Sequence, residues 1–187
     1  GAQIRYLVES SRHGWVGALA FSAAQWRLKD RDEYIGWTEA ARHAHLDRVV
    51  GNSRFLILPR VDVPNLASHV LSRCTSRLVD DWTERYGYAP VLVETFVDPS
   101  RFTGTCYQAA NWLRVGKTVA RPTAYPNGKV AKGSKDIYLY PILGDWKQVL
   151  CEEPNVALCS TPRPEAPADW TEEEFGRVQF FDERLKH

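Results

Sequence analysis

The sequence contains no methionine, not even at position 1, and it opens inside a β-rich run, IRYLVES. We therefore expect a piece of a longer polypeptide. The sequence also lacks any apolar run close to the roughly 20 residues that a membrane span requires, so we expect a soluble, cytoplasmic protein that does not enter a membrane. Its 24 basic and 23 acidic residues leave a net charge of +1. A contact with nucleic acid would therefore need a local patch, because no overall positive field is present.

Cysteine is scarce and irregularly spaced. The four cysteines show neither CxxC spacing nor the density of a small disulfide-stabilised secreted domain. They are Cys74, Cys106, Cys151 and Cys159. The sequence therefore predicts reduced thiols.

Signatures of common cofactors are also absent. The chain has no GxGxxG and no GxxxxGK[ST], the glycine patterns of nucleotide-binding loops, and no GxSxG of the hydrolase type. His43 and His45 are two apart on a predicted helix and so point to different faces, while the other histidines are isolated. This spacing does not fit a structural zinc site, and we predict no metal.

The apolar patterns that are present predict one α/β domain. IRYLVE and WVGALAFS flank the turn-forming SSRHG, which indicates a hairpin from about residue 4 to 22. Thr38 can cap a helix over TEAARHAHLDRVV, with Gly51 placed to end it. RFLILP is a continuous apolar run of strand length before Pro59, and it predicts a central strand covered on both faces.

A long amphipathic helix is predicted next, with Asn65 as its N-cap. Its apolar residues recur every four positions, at Leu66, Val70, Cys74, Leu78 and Trp82. VLVETFV follows as a strand and residues 104 to 113 as a short helix, an order that favours adjacent parallel strands. Residues 119–134 are a predicted loop, and KDIYLYPI a last strand. We divide the chain into a domain at 1–150, a proline-rich linker at 151–168 and a helical start of another region at 169–187.

Glu94 stands in the middle of VLVETFV, where a buried carboxylate is costly unless it is paired or hydrogen-bonded. Strand alternation could place it near an open edge of its face. Alternatively it is a general base or a substrate anchor, because open α/β sheets hold ligands at the carboxyl ends of their strands. The sequence leaves both alternatives open.

Cys106 falls in the first turn of the predicted short helix, where the helix N-terminus would favour a thiolate and hence nucleophilic catalysis. A buried structural cysteine is the alternative. Asn111 and Trp112 either border a ligand pocket or cap the helix and fill the core. The basic loop that follows, with Lys117 and Arg121, either contacts phosphates or faces water.

Three long motifs resemble one family closely. GNSRFLILPRVDVPNLASHVLS, VLVETFVDPSRFTGTCYQAANWLRVGKT and KDIYLYPI are similar to the bacterial domain of DruA proteins, found in the Druantia anti-phage system and in some transposase polypeptides. The resemblance covers roughly residues 4 to 145. It implies an accessory domain of a mobile-element or anti-phage defence protein that acts on or beside DNA. The family usually continues with a glycine- and arginine-rich segment, whereas this chain reads GKTVARPTAYPNG.

The tail carries a second resemblance. DWTEEEFGRVQFFDERL is similar to the first helix of the DNA-binding region of DDE-type insertion-sequence transposases, which implies a C-terminal transposase domain as partner. The matching residues are Trp170, Glu174, Phe175, Gly176, Asp182, Arg184 and Leu185.

A weaker resemblance concerns the fold, because the order of elements is that of GNAT acetyltransferases. It implies a GNAT-like mixed central sheet flanked by helices, with acyl-CoA as the cofactor between two splayed strands. Tyr107 would be the general acid and Glu94 the base. The pyrophosphate would lie at VPNLAS, Val63 to Ser68, which has no glycine to allow a close backbone approach.

Three functional hypotheses follow. An acyltransferase or thiol-dependent enzyme would use Glu94, Cys106 and Tyr107. If the domain binds a ligand, as an enzyme or as a recognition module, the same polar pocket would also be bordered by Asn65, Ser68, Asn111 and Trp112. A DNA-binding module would contact phosphate through Arg54, Lys117 and Arg121. A protein-interaction scaffold would use these residues only as core.

Overall fold

A computed structural model describes residues 1–120 and 133–154, together with the backbone of residues 175–180. The strands are β1 (Gln3–Ser10), β2 (Gly14–Ala23), β3 (Val49–Ile57), β4 (Leu92–Val97), β5 (Leu113–Lys117), β6 (Asp136–Pro141) and β7 (Phe175–Phe180). The helices are α1 (Lys29–Ile35), α2 (Glu39–His45), α3 (Leu66–Tyr86), α4 (Thr105–Ala109) and α5 (Trp146–Cys151). A 3-10 turn, Leu46–Arg48, joins α2 to β3.

All seven strands form one mixed sheet in the order β5-β6-β4-β3-β2-β1-β7. The pairs β3–β4 and β1–β7 are parallel, and the other neighbours are antiparallel. The predicted α/β class, a mixed central sheet flanked by helices, is confirmed. The predicted hairpin is confirmed as β1–β2, and β3 and β4 are the predicted parallel neighbours.

Helix α3 covers one face of the sheet. Its predicted apolar positions, from Leu66 to Trp82, are all buried, in one cluster with Tyr6 and Val8 of β1. Asn65 is the N-cap position of α3, as predicted, but its side chain makes no cap hydrogen bond and its backbone is left-handed, with φ +59°. The hydroxyl of Ser68 instead donates to the Asn65 carbonyl at 3.0 Å.

Helices α1, α2 and α5 cover the opposite face. Val49 and Leu92 belong to this second cluster, whereas their neighbours Val50 and Val93 belong to the first, as strand alternation requires. Thr38 caps α2 as predicted, because its Oγ1 accepts the Ala41 N–H at 3.1 Å. The predicted role of Gly51 is wrong: α2 ends at His45, and Gly51 lies inside β3 opposite Glu94.

The predicted strand RFLILP lies in the second half of β3, which begins earlier, at Val49, within the stretch predicted as a helix. The prediction that RFLILP is covered on both faces is wrong. Residues 49–52 are buried, but Ser53, Arg54 and Leu56 are exposed. The physical reason is that β3 loses its partner β4 after Gly51. One side of the remaining strand is therefore open.

The tail differs from the expectation of a helix. Phe175–Phe180 is strand β7, which pairs in parallel with β1 from Arg5–Phe175 to Ser10–Phe180. Phe and Val favour strands, and β1 offers a free edge. Arg121, Cys159 and Trp170 lie outside the described residues, and the three-part division of the chain stays a prediction. Within the part of the chain that the structure describes, no helix is long and apolar enough to cross a membrane.

Candidate functional site

A cleft opens where β3 and β4 separate. The two strands pair at three positions only, from Val49–Leu92 to Gly51–Glu94, and their facing edges beyond this point are not paired with each other. The resulting β3–β4 cleft has a volume of about 480 Å³. It is lined by Asn52, Ser53, Arg54, Phe55, Ile57, Thr95, Phe96, Val97, Asp98, Arg101, Phe102, Gly104, Cys106, Tyr107, Gly133 and Lys135.

The floor of the cleft is a buried hydrogen-bonded set formed by Asn52, Thr95 and Tyr107. The Tyr107 hydroxyl donates to Asn52 Oδ1 at 3.0 Å. Thr95 Oγ1 donates to the Asn52 carbonyl at 3.1 Å and lies 3.4 Å from the Tyr107 hydroxyl. Asn52 Nδ2 donates to the carbonyls of Ala20 and Arg54, at 3.2 and 3.0 Å. The floor therefore satisfies its own polar groups and holds a fixed shape.

Tyr107 is a protonated structural phenol at neutral pH. Burial raises the pKa of Tyr107 to about 12. Its ring stacks on Tyr138 with centroids 5.7 Å apart and meets Trp112 edge-on at 5.2 Å. The hydroxyl is thus available as a proton donor only by giving up its bond to Asn52.

Gly104 makes the turn that brings α4 against the cleft. Its φ is +75°, and a Cβ at this position would lie 2.8 Å from Cζ of Tyr138. A side chain is therefore excluded both by the backbone conformation and by the buried ring. This turn places Cys106 on the wall of the cleft and its neighbour in α4, Tyr107, in the floor.

Cys106 lies at the cleft, half-buried, but it is not activated. Burial raises the pKa of its thiol, and the backbone N–H groups of the short helix only partly oppose this effect. The expected low thiol pKa is therefore wrong. The residue lines the cleft, and the raised pKa of its thiol does not favour a thiolate there.

Alkylation of Cys106 should consequently be slow. At pH 7.5 we expect iodoacetamide to modify this thiol several-fold more slowly than an unstructured cysteine with a pKa of about 8.5, because the raised pKa reduces the thiolate fraction. Peptide mapping by mass spectrometry over a pH series measures the rate. A rate that is already maximal below pH 8 would contradict this expectation and restore the nucleophile hypothesis.

Glu94 does not line the cleft. The side chain is completely buried and pairs with the equally buried Arg31 of α1, with Nη1 2.8 Å from Oε2. The Gln25 N–H donates to Glu94 Oε1 at 2.9 Å. Burial raises the pKa of Glu94, and the charge of Arg31 is the main opposing influence. The carboxylate of Glu94 thus links β4 to α1, and Arg31 is the partner that a buried carboxylate requires.

The four residues expected to bind a ligand are not brought to the cleft. Asn65 and Ser68 lie at the start of α3 and contact each other. Asn111 is exposed, with φ +63°. Trp112 is buried between Tyr107 and Tyr140. None of the four contributes to the lining.

Charged groups surround the cleft. Arg54, which the DNA hypothesis expected to contact phosphate, lies at the rim together with Arg101 and Lys135. Asp98 is the acidic member, and hydrogen bonds from Ser100 lower its pKa. Lys117 lies outside the β3–β4 cleft, on β5. The rim therefore carries three cations and one anion among the described residues.

An exposed aromatic ring stands among these charges. Phe102 is 60% exposed, and the Arg101 guanidinium lies 5.4 Å from its centroid. Phe55 and Phe96 line the cleft beside it. Sequence reasoning missed Arg101 and Phe102, although DPSRF follows directly on the carboxyl end of a central strand, where α/β sheets place ligands. It also missed Asn52 and Thr95, whose partners are far away in the sequence.

Within residues 1–120 and 133–154, no three His, Cys, Asp or Glu side chains converge as a metal site would need. The arrangement instead combines a rigid polar floor, aromatic walls and a positive rim. Such a cleft suits an anionic ligand with a flat apolar part.

Comparison with known proteins gives one family and a partial structural likeness. The sequence profile described as Druantia protein DruA matches residues 1–124. No curated protein matches the chain. A mutant of the spermidine N-acetyltransferase SpeG from Vibrio cholerae is 13% identical, with a TM-score of 0.48 over 75% of this chain and 66% of that one.

A protein from Acinetobacter baylyi, named as an acetyltransferase, is 10% identical, with a TM-score of 0.44 over 69% of this chain and 57% of that one. The chain thus spans less than two thirds of either protein.

Proposed function

Because the chain belongs to the DruA family, we propose that it is a domain of an anti-phage defence or mobile-element protein that acts beside DNA. Its β3–β4 cleft would receive an unpaired nucleotide of that DNA. The observation that carries the proposal is the exposed ring of Phe102 among Arg54, Arg101 and Lys135. A transposase domain attached at the C-terminus belongs to the same proposal.

The aromatic groups supply the first part of the argument. A base is flat and apolar on its faces, and stacking on an aromatic side chain contributes about 1–3 kcal/mol per base. Phe102 offers an exposed ring for this contact at the mouth of the cleft, whereas Phe55 is partly buried by its edge-on contact with Tyr107 at 6.2 Å. A ring that is mostly exposed to water contributes little to core packing and is accessible for stacking by a ligand.

The charges supply the second part. The net charge of the chain is only +1, yet three cations meet at this rim. Arg54 and Arg101 are exposed, and Lys135 is half-buried. A phosphate would find donors there without any overall positive field, which is how sequence-independent contacts to a nucleic-acid backbone are made.

The chemistry of the floor favours binding over catalysis. The Tyr107 hydroxyl is committed to Asn52, the Cys106 thiol is protonated, and Glu94 is sealed against Arg31. An enzyme would need at least one group free to accept or donate a proton at the ligand. The bonds described above hold Tyr107 and Glu94, and the raised pKa of the Cys106 thiol disfavours the thiolate that a nucleophile needs.

Acyl-CoA-dependent acyl transfer is the second candidate function. The observation in its favour is the separation of β3 from β4 above a tyrosine hydroxyl. Against it stand the left-handed Asn65 at the start of α3 and the absence of glycine there. A thiol-dependent reaction would use the same cleft through Cys106, and a pure scaffold would leave the exposed Phe102 unexplained.

Binding of a fluorescent oligothymidylate, followed by anisotropy in 50 mM salt, tests the proposal. Phe102→Ala should weaken binding about tenfold, because one stacked base is lost and 1.4 kcal/mol is a factor of ten. Leu143→Ala is the matched control, since Leu143 is similarly exposed and does not line the cleft. An unchanged affinity in Phe102→Ala would overturn the assignment.

Acetyl-CoA provides the competing test. If it raises the melting temperature and Tyr107→Phe abolishes that shift, acyl transfer becomes the better assignment. If acetyl-CoA, nucleotides and DNA all leave the melting temperature unchanged, the scaffold hypothesis is favoured, because a ligand at 100 times its Kd should add about 2.7 kcal/mol of stability.

A further inference from the structure

A second cleft adjoins the first at the end of β4. It has a volume of about 300 Å³, and its lining includes Gln25, Leu28, Phe96, Lys117, Thr118 and Lys135. Phe96 and Lys135 also line the β3–β4 cleft. The two clefts are therefore neighbours that share one wall, and we call the second one the α1-side cleft.

Its two central lysines are available to a ligand. Among the described residues, Lys117 and Lys135 make no salt bridge, whereas the other two cations of this cleft are paired. Arg27 lies 2.8 Å from Glu39, and Lys29 lies 3.8 Å from Glu33. The nearby Asp30 accepts the backbone N–H of Lys117 at 2.8 Å, so its carboxylate is used to hold the strand.

The backbone that carries these lysines is fixed. The Thr118 N–H donates to the Lys135 carbonyl at 2.8 Å, and the Lys135 N–H donates to Thr118 Oγ1 at 2.9 Å. This reciprocal pair joins the end of β5 to the start of β6. The sheet thus sets the positions of both lysines. Neither forms a salt bridge among the described residues, and Asp98 is an acidic group that interacts with this pair, because hydrogen bonds from Ser100 and also the charge of Lys135 lower its pKa.

We propose that the two clefts form one groove for single-stranded DNA, with Lys117 and Lys135 holding the phosphate next to the bound nucleotide. The strand would pass Phe96, where the clefts meet. This inference rests on the proposed nucleotide recognition by the β3–β4 cleft. It adds that the ligand must be long enough to reach both clefts. The preferred ligand is an oligonucleotide and not a free mononucleotide.

Salt dependence reads out phosphate contacts directly. For single strands the slope of log K against log salt is about −0.7 per neutralised phosphate. Lys117→Ala should therefore make the slope for a six-residue oligothymidylate less steep by about 0.7, and leave the affinity for thymidine monophosphate unchanged. Lys117→Arg should keep the wild-type slope. Arg73→Ala, on the α3 surface, removes a charge that lines neither cleft and should also have no effect.

The outcomes separate this inference from the function on which it rests. Tighter binding of the oligonucleotide than of the mononucleotide, with the slope change in Lys117→Ala, supports the groove. Mononucleotide binding with no gain in the oligonucleotide, or an unchanged slope in Lys117→Ala, overturns the groove and leaves the nucleotide site. Absence of binding by both ligands overturns the nucleotide site itself.

Discussion

Replacement of Arg31 with methionine is expected to lower the free energy of unfolding by about 3–5 kcal/mol, the usual cost of removing one partner of a buried ion pair. Both side chains of the Arg31–Glu94 pair are completely buried, so Glu94 would be left as an uncompensated charge. Urea denaturation at pH 8 measures the change. The double variant Arg31→Met/Glu94→Leu is the control and should recover part of the loss, because it removes the fully buried carboxylate, whereas the partly buried Asp32, 2.8 Å from Arg31, still loses its cationic partner.

The same variant should respond to pH in a defined direction. Burial already raises the pKa of Glu94, and Arg31 is the main influence that opposes it. In Arg31→Met the folded-state pKa should rise further above the unfolded value of about 4.3, so the folded state binds the proton more tightly. Stability is then lost as the pH rises through that raised pKa. The loss in free energy of unfolding caused by Arg31→Met should be smaller at pH 5 than at pH 8. A loss under about 1 kcal/mol at both pH values would contradict the buried ion pair.

Substitution of Gly104 by alanine should destabilise the protein through two separable effects. The left-handed backbone costs a residue with a Cβ about 1–2 kcal/mol, and overpacking against Tyr138 adds about 1–3 kcal/mol. Gly87→Ala provides the matched control, because Gly87 has nearly the same φ, +77°, and nothing within 4 Å of the added Cβ. The difference between the two variants, measured by urea denaturation, isolates the steric effect.

Equal destabilisation by the two alanine substitutions would show that the Tyr138 ring moves away from the added Cβ at no cost. That result would contradict the close packing of this buried ring against Gly104. Because Gly104 positions α4, Gly104→Ala should also weaken ligand binding in the β3–β4 cleft, whereas Gly87→Ala should not. Anisotropy with the oligothymidylate distinguishes the two variants.

The sequence predicted those elements whose patterns are long and regular. The β1–β2 hairpin alternates over two strands around a turn, and α3 repeats an apolar residue every four positions over 21 residues. Helix α1 was not predicted because its seven residues are mostly polar, with Leu28 just before them and Ile35 as the last of them. Strand β5 was not predicted either, because three of its five residues are exposed and it carries no alternation.

The candidate site was predicted only in part, since its contacts join distant segments. The suspicion about Glu94 was justified on energetic grounds, yet its partner Arg31 is 63 residues away and lies in an unpredicted helix. Asn52 and Tyr107 are 55 residues apart, and no local pattern connects them. Two residues of the motif GTCYQAANW, Cys106 and Tyr107, line the β3–β4 cleft, and their functional role stays a prediction. Periodicity could not show that Asn111 faces solvent and Trp112 the core.

The pairing of β7 with β1 has a consequence for the order of folding. Arg5 pairs with Phe175, so this contact closes nearly the whole chain into a loop, whereas β1 already meets β2 across a short turn. Loop-closure entropy grows only slowly with length, but it must be paid before the contact is made. We expect β7 to join an edge that the rest of the domain has already built, and its amides to exchange with solvent hydrogen before those of β1 and β2.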